Sequence, residues 1–415
     1  MNKTIKDISL EIGSGITPLR SNELYWNSPD IPWIKTEQLG QYRIFDSMEY
    51  ISDFALEDTN IRLWSPHTVS VAMYGEGKTR GNVSILMIET TTNQACCNIK
   101  VNDALADYRF LYYWLKNNYE NLRALSAGVR KNLNSDDIKN FPFPENSLSE
   151  QEKIADILSV VDDKIELNSK ICSELEAMAK TLYDYWFVQF DFPDENGEPY
   201  RTAGGEMVWN EQLKREIPKG WKTGTIRDLG TIVSGGTPNT SCDEYYCTDG
   251  YAWITPNDLS GNTDKMFINH GERDVTVEGI ENSSAVLMPK HTILLSTRAP
   301  IGYLAISENE VCTNQGFKSI VPDSGYSEFY IYYVLKSNIP AIAQQGVGTT
   351  FKEVSKETLS GFKIPLPPIE LTERFAAHIL PVCTKRKLLE NECKELTKLR
   401  DWLLPMLMNG QARVE

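Results

Sequence analysis

The sequence matches itself at a shift of 219 to 222 residues, and this constrains the fold more than any other feature. A Gly-rich turn opens each half, Ser14-Gly15-Ile16-Thr17-Pro18 and then Gly235-Gly236-Thr237-Pro238. Pro32-Trp33-Ile34-Lys35 is answered by Ala252-Trp253-Ile254-Thr255, and Thr92-Asn93-Gln94-Ala95 by Thr313-Asn314-Gln315-Gly316. Tyr112-Tyr113-Trp114-Leu115-Lys116 pairs with Tyr332-Tyr333-Val334-Leu335-Lys336, and Phe141-Pro142-Phe143-Pro144 with Phe362-Lys363-Ile364-Pro365. Order and spacing hold across almost the whole of each half, so the chain carries two copies of one globular pattern.

Each copy ends in a long helical stripe. Ile154, Leu158, Val161, Ile165, Asn168, Cys172, Leu175, Ala179, Leu182 and Trp186 alternate three and four apart, the spacing of a coiled-coil seam. Ser149-x-x-Glu152 reads as its capping box. The second stripe runs from Phe375 to Leu407, interrupted by Arg386 and Arg400, and Pro381 within it predicts a kink or a late start. These stripes are longer than one globular domain needs, which favours two helices packed antiparallel on each other. Asn168, polar on the seam, is a candidate for fixing register. Inside the heads, Thr68 to Met73 and His291 to Leu295 read as strands, and Phe110 to Asn117 and Phe329 to Lys336 as short helices. The fold class is therefore α+β, with two repeated mixed α/β domains separated by two long antiparallel helices forming a coiled coil. The boundaries expected are 1–148 for the first head, 149–190 for the first spacer helix, 222–368 for the second head and 369–415 for the second helix. Residues 191–221, rich in Pro, Gly and charge, read as a linker or wrapped arm.

Catalytic signatures do not emerge. Ala72-Met73-Tyr74-Gly75-Glu76-Gly77-Lys78-Thr79 resembles a phosphate loop, but such a loop should open a helix, and Arg80 to Ile88 reads as another strand. The four histidines are scattered, and Cys96-Cys97 and Cys242-x4-Cys247 lack partners at zinc-site spacing. No Gly-x-Ser-x-Gly elbow, cofactor fingerprint or Asn/Asp-Pro-Pro-aromatic tetrad of an adenine methyltransferase is present. No run of 18 apolar residues occurs, and the N-terminus lacks a signal-peptide pattern, so we expect a cytoplasmic chain with reduced thiols and no membrane partner.

A binding scaffold with two heads remains, and matched loops carry its candidate contacts. Thr79-Arg80-Gly81-Asn82, which follows Lys78, corresponds to Thr297-Arg298 with a three-residue insertion before Gly302, and Lys78, Arg80, Asn82 and Arg298 are its candidates. Across the next loop Gly128 to Asn132 corresponds to Thr349 to Glu353, with Lys131 opposite Lys352, and Arg130, Lys131, Asn132, Thr349, Thr350 and Lys352 are its candidates. Arg among small polar residues suits phosphates and guanine edges, and Asn suits adenine. The net charge of the whole chain is −15, and the heads themselves are acidic: residues 1–148 net −3 and residues 227–368 net −6. Non-specific DNA binding comes mainly from neutralised phosphates, so DNA contact has to be local or shared with a partner.

Taken together, these segments resemble the specificity (S) subunit of type I restriction-modification enzymes. The resemblance covers almost the entire chain. It rests on the repeat, on Leu182 to Asp191, on Gly204-Gly205-Glu206-Met207, on Ile217-Pro218-Lys219-Gly220-Trp221 and on Leu399 to Gly410. It implies a non-catalytic DNA specificity subunit of the phage-defence type. Its two target recognition domains would each read one half of a bipartite, asymmetric double-stranded DNA target, with the helices setting the gap. It further implies two methyltransferase (M) subunits docked on the chain and two restriction (R) subunits. S-adenosylmethionine, ATP and Mg would belong to those partners, leaving no cofactor and no metal in this chain. Tyr185, Trp186, Phe187 and Trp402 are the docking candidates, although the run Tyr183 to Phe192 could equally pack against the second head. The competing readings are a two-headed coiled-coil scaffold for protein or carbohydrate, without DNA dependence, and a stand-alone enzyme with an unrecognised site.

Overall fold

The computed structural model describes residues 3–75, 77–126, 132–261, 265–298, 300–348 and 352–414. It divides into two compact units, Met1–Leu167 with Cys393–Glu415, and Asn168–Glu392. The divisions fall inside the two long helices, so each unit contains one head and one stretch of the helix pair.

In the first unit a five-stranded sheet takes the order Ser9–Ser14, Cys96–Val101, Thr68–Ala72, Val83–Leu86, Arg43–Ile44. The first four strands are antiparallel and the last pair is parallel. A smaller sheet joins Glu49–Ile51, Ile31–Ile34 and Thr91–Thr92. All five residues of Thr68–Ala72 are buried, because the sheet is covered on both faces. The helix Tyr108–Asn117 starts where the Asp107 carboxylate accepts the Arg109 and Phe110 amides at 2.7 and 3.2 Å. It buries Phe110, Leu111, Tyr113 and Leu115 in a core that also takes Ile154 and Leu158 from the first long helix and Leu404 and Leu407 from the second.

The second unit repeats this plan. Its large sheet runs Thr231–Ser234, Lys318–Val321, Ile293–Leu295, Leu304–Ser307, Phe267–Ile268, the same order strand for strand. The motifs legible in sequence are the joints of this plan. Trp33 and Trp253 donate their indole N–H to the carbonyls of Ile16 and Gly236, at 3.0 and 3.2 Å. The hydroxyls of Thr17 and Thr237 bond the side-chain oxygens of Gln94 and Gln315. A Cβ on Gly15 would lie 1.9 Å from the Thr92 carbonyl oxygen, and one on Gly235 2.0 Å from that of Asn314, so both turns need glycine.

The long helices are Leu148–Tyr183 and Ile369–Met408. In the first unit Cys393 lies against Ile165 and Arg400 against Asp162; in the second, Asn168 bonds Glu392 and Cys172 meets Arg386. Within each unit, later residues of one helix thus face earlier residues of the other, the antiparallel arrangement. Several expectations need correction. The capping box is Ser147 with Glu150, not Ser149 with Glu152: Glu150 accepts the Ser147 amide at 2.8 Å and Ser147 Oγ accepts the Glu150 amide at 3.3 Å. The second helix does not start late at Pro381, which lies inside one continuous helix from Ile369 to Met408. Arg386 and Arg400 do not merely interrupt the seam but are ion-paired across it, to Glu176 and Asp162. Residues 191–221 are an arm with structure of their own, a hairpin of Met207–Asn210 and Arg215–Pro218, anchored by buried Ile217 and Trp221. The expected short helix at Phe329 extends over Glu328–Gln344.

Candidate nucleic-acid interface

The first-head loop that carries Lys78 and Arg80 leaves the strand Thr68–Ala72 and turns back into Val83–Leu86. The helical segment behind it holds it down. Tyr119 Oη donates to the Lys78 carbonyl at 2.7 Å. Arg123 Nη1 donates to the Arg80 carbonyl at 2.9 Å and to Tyr119 Oη at 2.8 Å, with its guanidinium over the Tyr119 ring. Gly81 sits at φ 89°, where a Cβ would come within 3.3 Å of that ring. The fixed loop leaves the Lys78 side chain exposed. Asn82 is less free than its loop position implies, because its Nδ2 donates to the Leu39 carbonyl at 3.1 Å.

One backbone bond ties the next candidate loop to this one, and the second head repeats it. The Leu133 amide donates to the Met73 carbonyl at 3.1 Å, placing exposed Asn132 beside the loop of Lys78 and Arg80. The Val354 amide donates to the Thr297 carbonyl at 2.9 Å, and Arg298 forms a β-bridge with Glu353. Exposed Arg298 and exposed Lys352 therefore lie on neighbouring backbone segments. Arg130, Lys131, Thr349 and Thr350 fall outside the described residues.

The surroundings of the two sites differ. At the position matched to Gly81, Gly302 sits at φ 107°, and a Cβ there would meet Ile339, the counterpart of Tyr119. Pro300, Ile301, Pro340 and Ala343 line the adjoining hollow together with Lys352. One head thus backs its loop with Tyr and Arg, and the other with aliphatic side chains. A larger cleft of the first head, about 690 Å³, is lined by Asn118, Asn121, Asn134 and Asn140. The Asn118, Asn121 and Asn140 amides donate within the head, at 2.9 Å each, and Asn134 caps a helix.

The family model for the type I restriction modification DNA specificity domain matches residues 1–177 and 218–398, nearly the whole of both copies. The chain belongs to this family. It is similar to the type I restriction enzyme MjaIX specificity subunit of Methanocaldococcus jannaschii, 38% identical over 174 residues, or 40% of each chain. It is also similar to the HindI specificity subunit of Haemophilus influenzae, 28% identical over 312 residues, 63% of this chain and 67% of that one. The match thus spans two fifths of the first relative's length and about two thirds of the second's. The crystal structure of a type I restriction-modification system S subunit from M. genitalium shares the fold, with a TM-score of 0.57 at 18% identity over 98% of this chain and 95% of that one. Membership assigns the chain to the specificity rather than the catalytic part of these enzymes and implies recognition of DNA sequence.

Within this specificity-family chain, the aromatic docking candidates separate. Trp186 and Phe187 are 2% and 4% exposed and pack with Phe375, Tyr330 and Trp221 in the second unit's core. They are corrected to core residues, since side chains buried in their own chain present no docking surface. Tyr185 and Trp402 remain 37% and 59% exposed. Sequence reading also missed Tyr119 and Arg123, which hold the first loop. A signal existed: both lie on the helical segment continuing the Tyr112 to Lys116 motif. Among the described residues no cluster of His, Cys, Asp and Glu could hold a metal ion, and no helix is long and apolar enough to cross a membrane.

Proposed function

We propose that the chain is the non-catalytic DNA-specificity subunit of a type I restriction-modification complex, each head reading one half of a bipartite, asymmetric target. The observation that carries this is one scaffold used twice with different loops. The Trp, Thr–Gln and backbone joints recur, while the side chains they present and the residues behind them differ. Identical frames would hold two loops in equivalent poses on DNA, and different loops would read different bases. The helix pair sets the gap between half-sites and docks two methyltransferase subunits, with Tyr185 and Trp402 as contacts. Two restriction subunits complete the complex. S-adenosylmethionine serves the methyltransferases, and ATP and Mg the restriction subunits. The acidic heads make this division of labour necessary, because phosphate neutralisation has to be shared with the partners.

The test is substitution of the loops in the chain co-expressed with its methyltransferase. Lys78→Ala and Arg80→Ala should weaken or relax one half of the methylated motif, and Arg298→Ala and Lys352→Ala the other. A lost base contact costs about 1–3 kcal/mol, and a lost phosphate contact weakens binding evenly across sequences. If all four variants kept the wild-type motif and methylation rate, this assignment of contacts would be refuted.

A further inference from the structure

The repeat matches Lys116 to Lys336, yet the two lysines sit in different electrostatic settings. Lys336 Nζ lies 2.5 Å from the Glu176 carboxylate, which also accepts the Tyr333 hydroxyl at 3.1 Å and pairs with Arg386. Its charge is neutralised. Lys116 Nζ donates to the Tyr112 hydroxyl at 3.1 Å and lies 5.4 Å from that ring's centroid. Among the described residues no carboxylate is within ion-pair distance of it. Asp162, the comparable carboxylate of this unit, is occupied by the Tyr113 hydroxyl and the Arg400 guanidinium, both at 2.8 Å.

Lys116 is half-buried and forms part of the lining of a groove of about 330 Å³, with Gly40, Lys78, Gly81, Asn82 and Tyr119. The groove therefore opens beside the loop already assigned to DNA. Among the described residues neither of its two lysines has a carboxylate at ion-pair distance. Burial draws Lys116 down to about 8, with Asp162 and Asp401 raising it and Arg400 lowering it. At neutral pH it remains mostly an ammonium. A half-buried cation without an ion pair has a use where an anion arrives from outside. The matched hollow of the second head is lined by Pro300, Ile301, Pro340, Ala343, Gln344 and Lys352, so Lys352 is its one cation, and Lys336 is not part of its lining.

We propose that Lys116, with Lys78 at the mouth of the groove, seats one backbone phosphate of the DNA held by the first head, and that the second head lacks this contact. The proposal rests on the DNA reading above. A phosphate contact positions the head without reading bases, so it should change affinity and leave the motif alone.

The measurement uses the full chain with its co-expressed methyltransferase and a duplex carrying the methylated motif. The slope of log affinity against log salt should fall by about 0.9 in Lys116→Gln, the value of one neutralised phosphate. Lys116→Arg should restore it, Lys336→Gln should not change it, and the methylated motif should be the same in all. In the wild-type complex, a scan of single methylphosphonates should find one position in one half-site where neutralisation weakens binding; Lys116→Gln should be insensitive there. This scan keeps the test open if a variant folds poorly. An unchanged slope in Lys116→Gln, or an altered motif, would overturn the proposal. Replacing chloride by inorganic phosphate at constant ionic strength should preserve the difference between wild type and Lys116→Gln; its loss would assign the groove to a free anion and overturn the DNA contact. Should the wild-type complex bind DNA with no motif, the half-site reading fails, while the slopes measured on an arbitrary duplex still decide the phosphate seat.

Discussion

The same three-part joint fastens head to helix pair in both units. In the first, Asp162 of the first long helix, 2% exposed, accepts from Tyr113 of the head and Arg400 of the second helix. In the second, Glu176 accepts from Tyr333 and Arg386, with Lys336 and Glu390 completing the network. Burial, with the neighbouring carboxylate adding to it, holds both tyrosines far above their usual range, so they remain hydroxyl donors at any working pH. Removing one partner of a buried pair strands the other charge, at a cost of about 3–5 kcal/mol. Arg400→Met should therefore lower unfolding stability by about that amount in denaturant titration; a loss under 1 kcal/mol would mean that the joint does not hold the head. Lys116 supplies a pH-dependent check. Its folded pKa is depressed by burial to about 8, so the fold penalises its charged form. The full penalty applies below that value and disappears as pH rises towards the unfolded lysine value of roughly 10.4. Lys116→Met should therefore raise the melting temperature at pH 7, and the gain should shrink between about pH 8 and pH 10. A gain independent of pH would point to packing instead of charge.

Among the elements, the helix pair carries the claim that can be measured in base pairs. The two units divide between Leu167 and Asn168 on one helix and between Glu392 and Cys393 on the other. Seven residues inserted at both points would keep each unit's own contacts. They would lengthen the pair by about 10 Å at ~1.5 Å per residue, or about three base pairs of DNA. The methylated motif should keep both halves and widen its gap by about that number; an unchanged gap would remove the helices from the role of ruler. Much of this was legible in the sequence, because a seam at three-and-four spacing persists over many turns and repeats 221 residues later. The indole, hydroxyl and glycine joints were visible as motifs because each needs one residue type at one place. Other features were not. The helix starts at Leu148 because Ser147 and Glu150 cap it, and Ser149 with Glu152 offered the same spacing two residues on. The hairpin at Met207–Pro218 has strands too short for a period to show. Arg386 on the seam read as a defect because its partner Glu176 lies 210 residues away. Trp186 and Phe187 read equally well as surface and as core, and the positions of Phe375, Tyr330 and Trp221 decide between them.

At the scale of the whole molecule, the chain belongs to the specificity part of type I restriction-modification enzymes, and on the function proposed it tells a partner where to act. On the function proposed, duplicated heads with different loops call for a target in two unlike halves, and the helix pair for a fixed gap between those halves. Both requirements are properties of one DNA sequence. The most direct measurement is therefore sequencing that detects modified adenines in cells expressing the neighbouring methyltransferase subunit with and without this chain. We expect one split, asymmetric motif with a constant gap, methylated only when the chain is present. A soluble complex that leaves no such motif, or methylation that persists when the chain is absent, would contradict the account.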